Sequence, residues 1–230
     1  MRALLYDVHG NLPALEAVLA DARAEGAESF VLGGDYAFMG AFPRETMEAL
    51  CGLEAVWIRG NTERWAAGDE HDMPQNPLMT TGAAYCREQL GETATELSRL
   101  DQSMQLDGAL ICHASPHSDM ELFPPEPSER DAELLRGTGE AVIVFGHTHL
   151  QFAREADGRL LVNPGSVGLP FDGDWCAAYA LWRGEREFEL RRVEYDRERY
   201  VAQVRERMGT TLGESIELPV RRIEQAAFVN

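Results

Sequence analysis

Apolar and polar positions along this chain switch between two periods, and each switch marks an element. Arg2 to Tyr6 form a short, mainly apolar run that stops at Asp7-Val8-His9-Gly10-Asn11, where glycine and asparagine predict a turn. Leu12, Leu15, Val18, Leu19 and Ala22 then recur at helical spacing, with Pro13 suited to the first turn and Gly26 at the expected stop. Phe30-Val31-Leu32 predicts a buried strand ending at Gly33-Gly34-Asp35. A helix around Arg44 to Leu50 follows, and a strand from Glu54 to Ile58 runs into Gly60-Asn61. Strand-loop-helix units repeated this closely imply parallel pairing, because parallel neighbours need a crossover connection.

From Pro77 to Leu100 the pattern is helical, with breaks expected at Gly82 and Gly91, and no chemistry is placed there. Ala109-Leu110-Ile111-Cys112 predicts a strand leading into His113-Ala114-Ser115-Pro116-His117, and Ala141 to Phe145 predicts another leading into Gly146-His147-Thr148-His149. Asp157-Gly158 and Arg183-Gly184 are hairpin-type turns between apolar runs, so the second half should contribute antiparallel strands. Asp196 to Met208 has helical spacing at Tyr200, Val201 and Val204 and is expected to pack on the outside. Neither a repeat of solenoid length nor a linker of flexible composition interrupts the chain. Its 230 residues, 44% of them hydrophobic, suffice for one domain spanning 1–230, with a C-terminal hairpin and helix from about 175 completing it.

Charge narrows the possible partners. With 39 acidic against 21 basic residues, all of the latter arginine, the formal charge is −18. Such a surface repels a polyanion, so long nucleic acid is disfavoured and a small anionic substrate would need a few arginines or bound cations. Cys51, Cys86, Cys112 and Cys176 are far apart, which indicates neither a disulfide framework nor a thiolate zinc site. The N-terminus lacks a secretory pattern and no segment is apolar enough to span a bilayer, so a cytoplasmic location with no membrane contact is expected. Assembly as a homo-oligomer stays open.

Five strand ends deliver Asp7 with His9, Asp35, Asn61, His113, and His147 with His149. Taken singly, each reads as a turn, cap or core residue. Together they place four of the six histidines and three Asp or Asn residues after separate strands, beside small residues, where α/β sheets collect function. Oxygen and imidazole donors without thiolate suit manganese, iron or zinc. Seven ligands exceed one ion with open positions but suit two ions about 3.5–4 Å apart sharing a carboxylate, for which Asp35 is the candidate. Such a pair polarises phosphoryl oxygens and generates hydroxide near neutral pH.

Asp7-x-His9, Gly34-Asp35, Gly60-Asn61, His113 and Gly146-His147-Thr148-His149, in this order, resemble the calcineurin-like metallophosphoesterase superfamily over residues 1 to about 170. Asp7-Val8-His9-Gly10-Asn11 and Asn163-Pro164-Gly165-Ser166-Val167-Gly168 further resemble its compact prokaryotic branch, often described as phosphodiesterases. The resemblance implies a four-layer α/β/β/α sandwich with mixed sheets and two divalent ions, manganese or iron first, zinc or nickel next. It implies that Asp7, His9, Asp35 and His149 hold one ion, that Asp35, Asn61, His113 and His147 hold the other, and that metal-bound hydroxide hydrolyses a small phosphoester. Asp35, Asn61 and His113 would take part directly in catalysis, and Gly10, Asn11, Asn61 and Thr62 would face substrate. Many relatives carry histidine where Thr62 stands. Threonine cannot serve as an acid near pH 7, so the chain should favour good leaving groups or recruit another acid such as His117. Trp65 could stack on a base, and Arg59 is expected to cover its own strand. A phosphomonoesterase and a non-catalytic scaffold of the same fold are the alternative readings.

Overall fold

The computed structural model describes residues 1–229. In chain order the elements are β1 (Arg2–Leu5), α1 (Leu12–Ala24), β2 (Ser29–Leu32), α2 (Pro43–Cys51), β3 (Ala55–Trp57), α3 (Asn61–Ala67), α4 (Pro77–Leu90) and α5 (Glu92–Ser98). There follow β4 (Ser103–Leu106), β5 (Ala109–Cys112), the one-turn α6 (Asp131–Leu134), β6 (Val142–Val144), β7 (Gln151–Ala156) and β8 (Arg159–Pro164). The chain closes with β9 (Ala177–Gly184), β10 (Glu187–Val193), α7 (Arg197–Leu212), a 3-10 turn (Gly213–Ile216) and α8 (Glu217–Gln225).

Two mixed five-stranded sheets result, in the orders β10-β9-β1-β2-β3 and β4-β5-β6-β8-β7. The expected crossovers make β1, β2 and β3 parallel neighbours in the first sheet, and β5, β6 and β8 parallel neighbours in the second. Antiparallel strands close the edges: β9 and β10 extend the first sheet beside β1, while β4 and β7 flank the second. The C-terminal hairpin therefore completes the sheet that the N-terminal strand begins.

Period-2 alternation assigns each strand two apolar faces. Leu4, Tyr6, Val31, Val142 and Val144 meet in the seam between the sheets. Ala3, Leu5, Phe30 and Leu32 lie in the outer cluster with Leu15 and Val18 of α1, and α7 adds Tyr200 and Val204 to it while packing on α4 and α8. The arginine-rich α7 is an outer helix with one buried stripe. On the far face of the second sheet Ile143, Phe145 and Leu161 are covered by Phe123, Leu134 and Leu135, so that outermost layer is mostly irregular chain around α6.

Two boundaries differ from the sequence pattern. Gly82 does not break α4, which runs through it, because that position packs closely on Met39 and Phe38 and leaves little room for a side chain. The second hairpin turns at Glu185 and Arg186, two residues later than expected, with both Gly184 and Glu185 at positive φ. Among the described residues no helix is long and apolar enough to cross a membrane.

Candidate metal centre

The loops that leave β1 and β2 continue as a ladder of backbone bonds past the strand ends. Asp7 N–H donates to Gly34 O at 3.1 Å, His9 N–H to Asp35 O at 2.9 Å and Gly10 N–H to Tyr36 O at 2.9 Å. This pairing places Asp7, His9 and Asp35 side by side. It also bends them: Asp7, His9, Asp35, His147 and His149 all have positive φ, from 47° to 65°. Left-handed backbone costs a non-glycine residue about 1–2 kcal/mol, so five such residues at one locus mark stored strain. Glycine is required where the loops cross, since a Cβ on Gly60 would lie 2.3 Å from Asp35 Oδ1.

A residue with no assigned role in the sequence pattern locks this crossing. The buried Glu63 carboxylate accepts the N–H groups of Asp35 at 2.8 Å, Tyr36 at 2.9 Å and Gly60 at 2.7 Å. Its only sequence signal is a glutamate at the third position of a helix beginning after Gly60, the acceptor half of a capping box.

The seven candidate ligands converge. Asp7, His9, Asp35 and His149 form one group and Asp35, His113 and His147 a second, with the ligand atoms of each group within 4.8 Å of one another. Asp35 belongs to both. Asn61 joins the second, its Oδ1 standing 3.1 Å from His113 Nε2.

Hydrogen placement decides what these groups can do. His9 Nδ1 lies 2.9 Å from Phe38 O, His113 Nδ1 lies 2.8 Å from Gly33 O, and His149 Nδ1 contacts Leu169 O. A carbonyl only accepts, so each Nδ1 carries the hydrogen, and the neutral His9 and His149 rings turn their Nε2 lone pairs inward. His9 Nε2 then faces His149 Nε2 at 3.1 Å with no proton between them. Asp7 Oδ1 is buried without a hydrogen-bond partner, 3.6 Å from His149 Nε2 and 4.0 Å from His113 Nε2. Converging lone pairs and an orphaned carboxylate oxygen repel one another unless a cation lies among them, and these donors fit divalent manganese, iron or zinc.

The electrostatics agree. Burial, reinforced by neighbouring imidazoles, pushes His147 down to about 4 and holds His149 well below its ordinary value, so both rings are neutral near pH 7. Burial likewise lowers His9 against the pull of Asp35. At His113 burial is outweighed by the Asp35 and Asp7 carboxylates, which raise it. Burial would raise Asp35, but His113, His9 and His147 and the bonds from Thr62 hold it below the usual carboxylate range. Thr62 donates to Asp35 Oδ1 twice, through its N–H at 3.1 Å and its hydroxyl at 2.8 Å.

The centre opens onto a cavity of about 800 Å³, lined on one side by His9, Asp35, Asn61, Thr62, His147 and His149. Gly10 and Asn11, expected to face substrate, are not on its wall. Asn11 caps α1 by accepting from Ala14 N and donates to Gly168 O and Tyr195 OH, so its amide is fully engaged in holding the loop. Gly10 is enclosed by the backbone of Ala37 and Gly40. His117, considered as a replacement acid, is an exposed ring bonded to Arg136 O at 2.7 Å and is absent from the wall. Trp65 lines the cavity yet is too buried to stack on a base, with its indole N–H given to Asp72 at 2.8 Å. Arg59 reaches neither substrate space nor solvent alone: with Arg64 it grips the buried Asp119.

Comparison with known proteins bears on this geometry. The model of the calcineurin-like phosphoesterase superfamily domain matches residues 1–183. An uncharacterized protein of Methanocaldococcus jannaschii is 29% identical over 244 residues, covering 95% of this chain and 98% of its own. The crystal structure of a metallophosphoesterase from Sphaerobacter thermophilus superposes with a TM-score of 0.82 at 27% identity, covering 98% of each chain. A hypothetical protein from Pyrococcus horikoshii gives 0.80 at 22% identity, covering 95% of this chain and 98% of that one, and so shares the fold.

Proposed function

Because this chain belongs to the calcineurin-like phosphoesterase superfamily, we propose that it hydrolyses a small phosphodiester with two divalent cations, manganese or iron first. Asp7, His9, Asp35 and His149 would hold one cation, and Asp35, Asn61, His113 and His147 the other. The observation that carries this reading is the inward convergence of unprotonated Nε2 atoms beside the unpartnered Asp7 Oδ1. Bound there, the pair supplies Lewis acidity toward a phosphoryl oxygen and an attacking water acidic enough to react near pH 7.

The chain's own groups do the rest. Phe38, Gly33 and Leu169 carbonyls keep three imidazoles in one tautomer, and Thr62 aims Asp35 by holding its Oδ1. Two features favour a diester over a monoester. Thr62 stands where a proton donor to the leaving oxygen would be, and the remaining cavity wall is largely apolar, which suits an ester with two organic groups. A full ligand set supports catalysis over a scaffold role. The absence of paired cysteines among the described residues is compatible with a cytoplasmic enzyme.

The test compares p-nitrophenyl phosphate with bis(p-nitrophenyl) phosphate on one manganese-loaded preparation, then aryl diesters of rising leaving-group pKa. The diester should be preferred, and its rate should fall steeply as that pKa rises. Monoester preference would favour the phosphatase reading, and inertness toward both would favour a scaffold.

A further inference from the structure

Beside the candidate ligands the cavity is lined by Phe38, Met79, Leu122, Phe171 and Phe228, and among the described residues Arg222 is its sole arginine. Asp35 is its sole carboxylate and belongs to the centre itself. Other inward arginines are matched: Arg64 to Asp119 and Asp72, Arg154 to Asp131, Arg191 to Asp21. Arg222 is not. Its Nε donates to Val229 O at 3.0 Å, while its terminal nitrogens have no hydrogen-bond or carboxylate partner among the described residues. In a chain with 39 acidic residues, a partly buried guanidinium with no carboxylate partner among the described residues is suited to receive an anion from outside. Burial without a partner also holds Arg222 below its ordinary value.

Its position relative to the centre is fixed by stacked rings. Phe171 lies on His149 with centroids 4.4 Å apart and planes 12° apart, Phe228 meets Phe171 edge-on at 5.5 Å, and Arg222 covers Phe228 at 4.4 Å. A ligand can therefore extend from the centre along an aromatic wall and end on the cation. Gly173 N–H to Ala226 O, 2.9 Å, ties this tail to the loop that carries Phe171. Arg222 and Phe228 lie beyond residues 1–183 that the family model matches.

We propose that Arg222 binds an anionic group, carboxylate or phosphate, on the organic part of the substrate, so that the preferred ester has an apolar or aromatic body and a second negative charge beside the scissile phosphate. This rests on the phosphoesterase reading for the identity of the first group. Arg222 is a specificity residue in this scheme, and the reacting atoms lie elsewhere.

Calorimetry of the manganese-loaded protein with phenylphosphonate, 4-carboxyphenylphosphonate and benzene-1,4-diphosphonate tests it without turnover. The doubly functionalised probes should bind about tenfold tighter, the difference expected for one charge-assisted contact. Whichever probe gains more identifies carboxylate or phosphate as the anion. R222Q should erase the gain and leave phenylphosphonate unchanged, while R222K should keep most of it and shows that the tail remains in place. Equal binding of all three probes by the wild type, or an equal loss for all three in R222Q, overturns the proposal. In parallel, hydrolysis of p-nitrophenyl phenyl phosphate and its 4-carboxyphenyl analogue separates the two readings. Arg222-dependent binding without hydrolysis of either diester would sink the enzyme reading and keep the subsite. Hydrolysis of both at equal rates, with equal probe binding, would do the reverse.

Discussion

The two halves of the candidate metal centre share Asp35 and are otherwise built differently. In the half formed with Asp7, His9 and His149 every residue is buried, and both imidazoles are pinned through Nδ1 to backbone carbonyls of separate loops. In the half formed with Asn61, His113 and His147 only His113 is pinned in that way. The His147 ring is partly exposed on the cavity wall and has no hydrogen-bond partner among the described residues, its position set by its own N–H on Asp7 Oδ2 at 3.0 Å and by the His113 ring beside it. Outer hydrogen bonds fix ring orientation and raise ligand basicity, so the first half is the more rigidly held, while in the second the unpinned His147 is the most exposed of the candidate ligands on a cavity wall that both halves share. The asymmetry lies in how firmly the rings are held, since both halves meet the same cavity.

The harshest way to break the comparison is to remove the group both halves use. Asp35→Ala should empty both, lowering kcat/KM by at least about 1,000-fold and metal content to near zero. Retention of one metal per chain in this variant would mean that the halves are independent and the bridge unnecessary.

A sharper probe sets one half against the other. His149→Ala should weaken its pocket by about 100-fold or more, because a pinned ligand is lost, whereas His147→Ala should leave that pocket within about tenfold of normal. Manganese titrations followed by elemental analysis read this directly. Equal weakening by both changes would erase the distinction between the pinned and the less firmly held half.

A third prediction concerns the loop that carries His113, which Arg59 and Arg64 hold through Asp119. Burial would raise the Asp119 carboxyl, but the two guanidiniums outweigh it and hold it at about 2. A carboxylate depressed in the folded state stabilises fully above its unfolded pKa and loses that contribution as pH falls toward the folded value. Wild type should therefore exceed Asp119→Asn by about 2 kcal/mol in urea unfolding at pH 6, and the gap should narrow between pH 4 and pH 2. A gap independent of pH would mean that the ion pairs contribute nothing and only packing was lost.

What the sequence displays of this architecture is its periodic part and its chemistry-bearing residue types. Leu12 to Ala22 and Val142 to Val144 announce their elements because burial imposes a period that side chains must obey. Asp7, His9, Asp35, Asn61, His113, His147 and His149 stand out because they follow strands, where topology converts sequence distance into proximity. What sequence does not display is the support. Phe38, Leu169 and Gly33 act through carbonyl oxygens, which every residue has, so no side-chain pattern can mark them. Asn11 shows the same limit: a cap and a ligand contact call for the same amide, and here the Ala14 N–H and the Gly168 carbonyl engage it. Arg222 is one arginine among 21 until the fold sets it on the cavity wall with no carboxylate partner among the described residues.

The gentlest test falls on the residue joining the two halves from outside. Thr62 gives Asp35 Oδ1 two hydrogen bonds, and Thr62→Val removes the hydroxyl while keeping the backbone N–H and nearly the same volume. One lost bond to a charged, buried acceptor that retains a second donor should cost about 1 kcal/mol, or about fivefold in kcat/KM. Thr62→Ser should restore the rate, since it returns the donor without the methyl group. If the hydroxyl instead protonated the leaving oxygen, valine would hurt poor leaving groups far more than good ones; aiming Asp35 predicts the same fivefold loss for both. A loss that grows with leaving-group pKa would therefore transfer Thr62 from holding the bridge to acting on the substrate, and the second half would have its own acid after all.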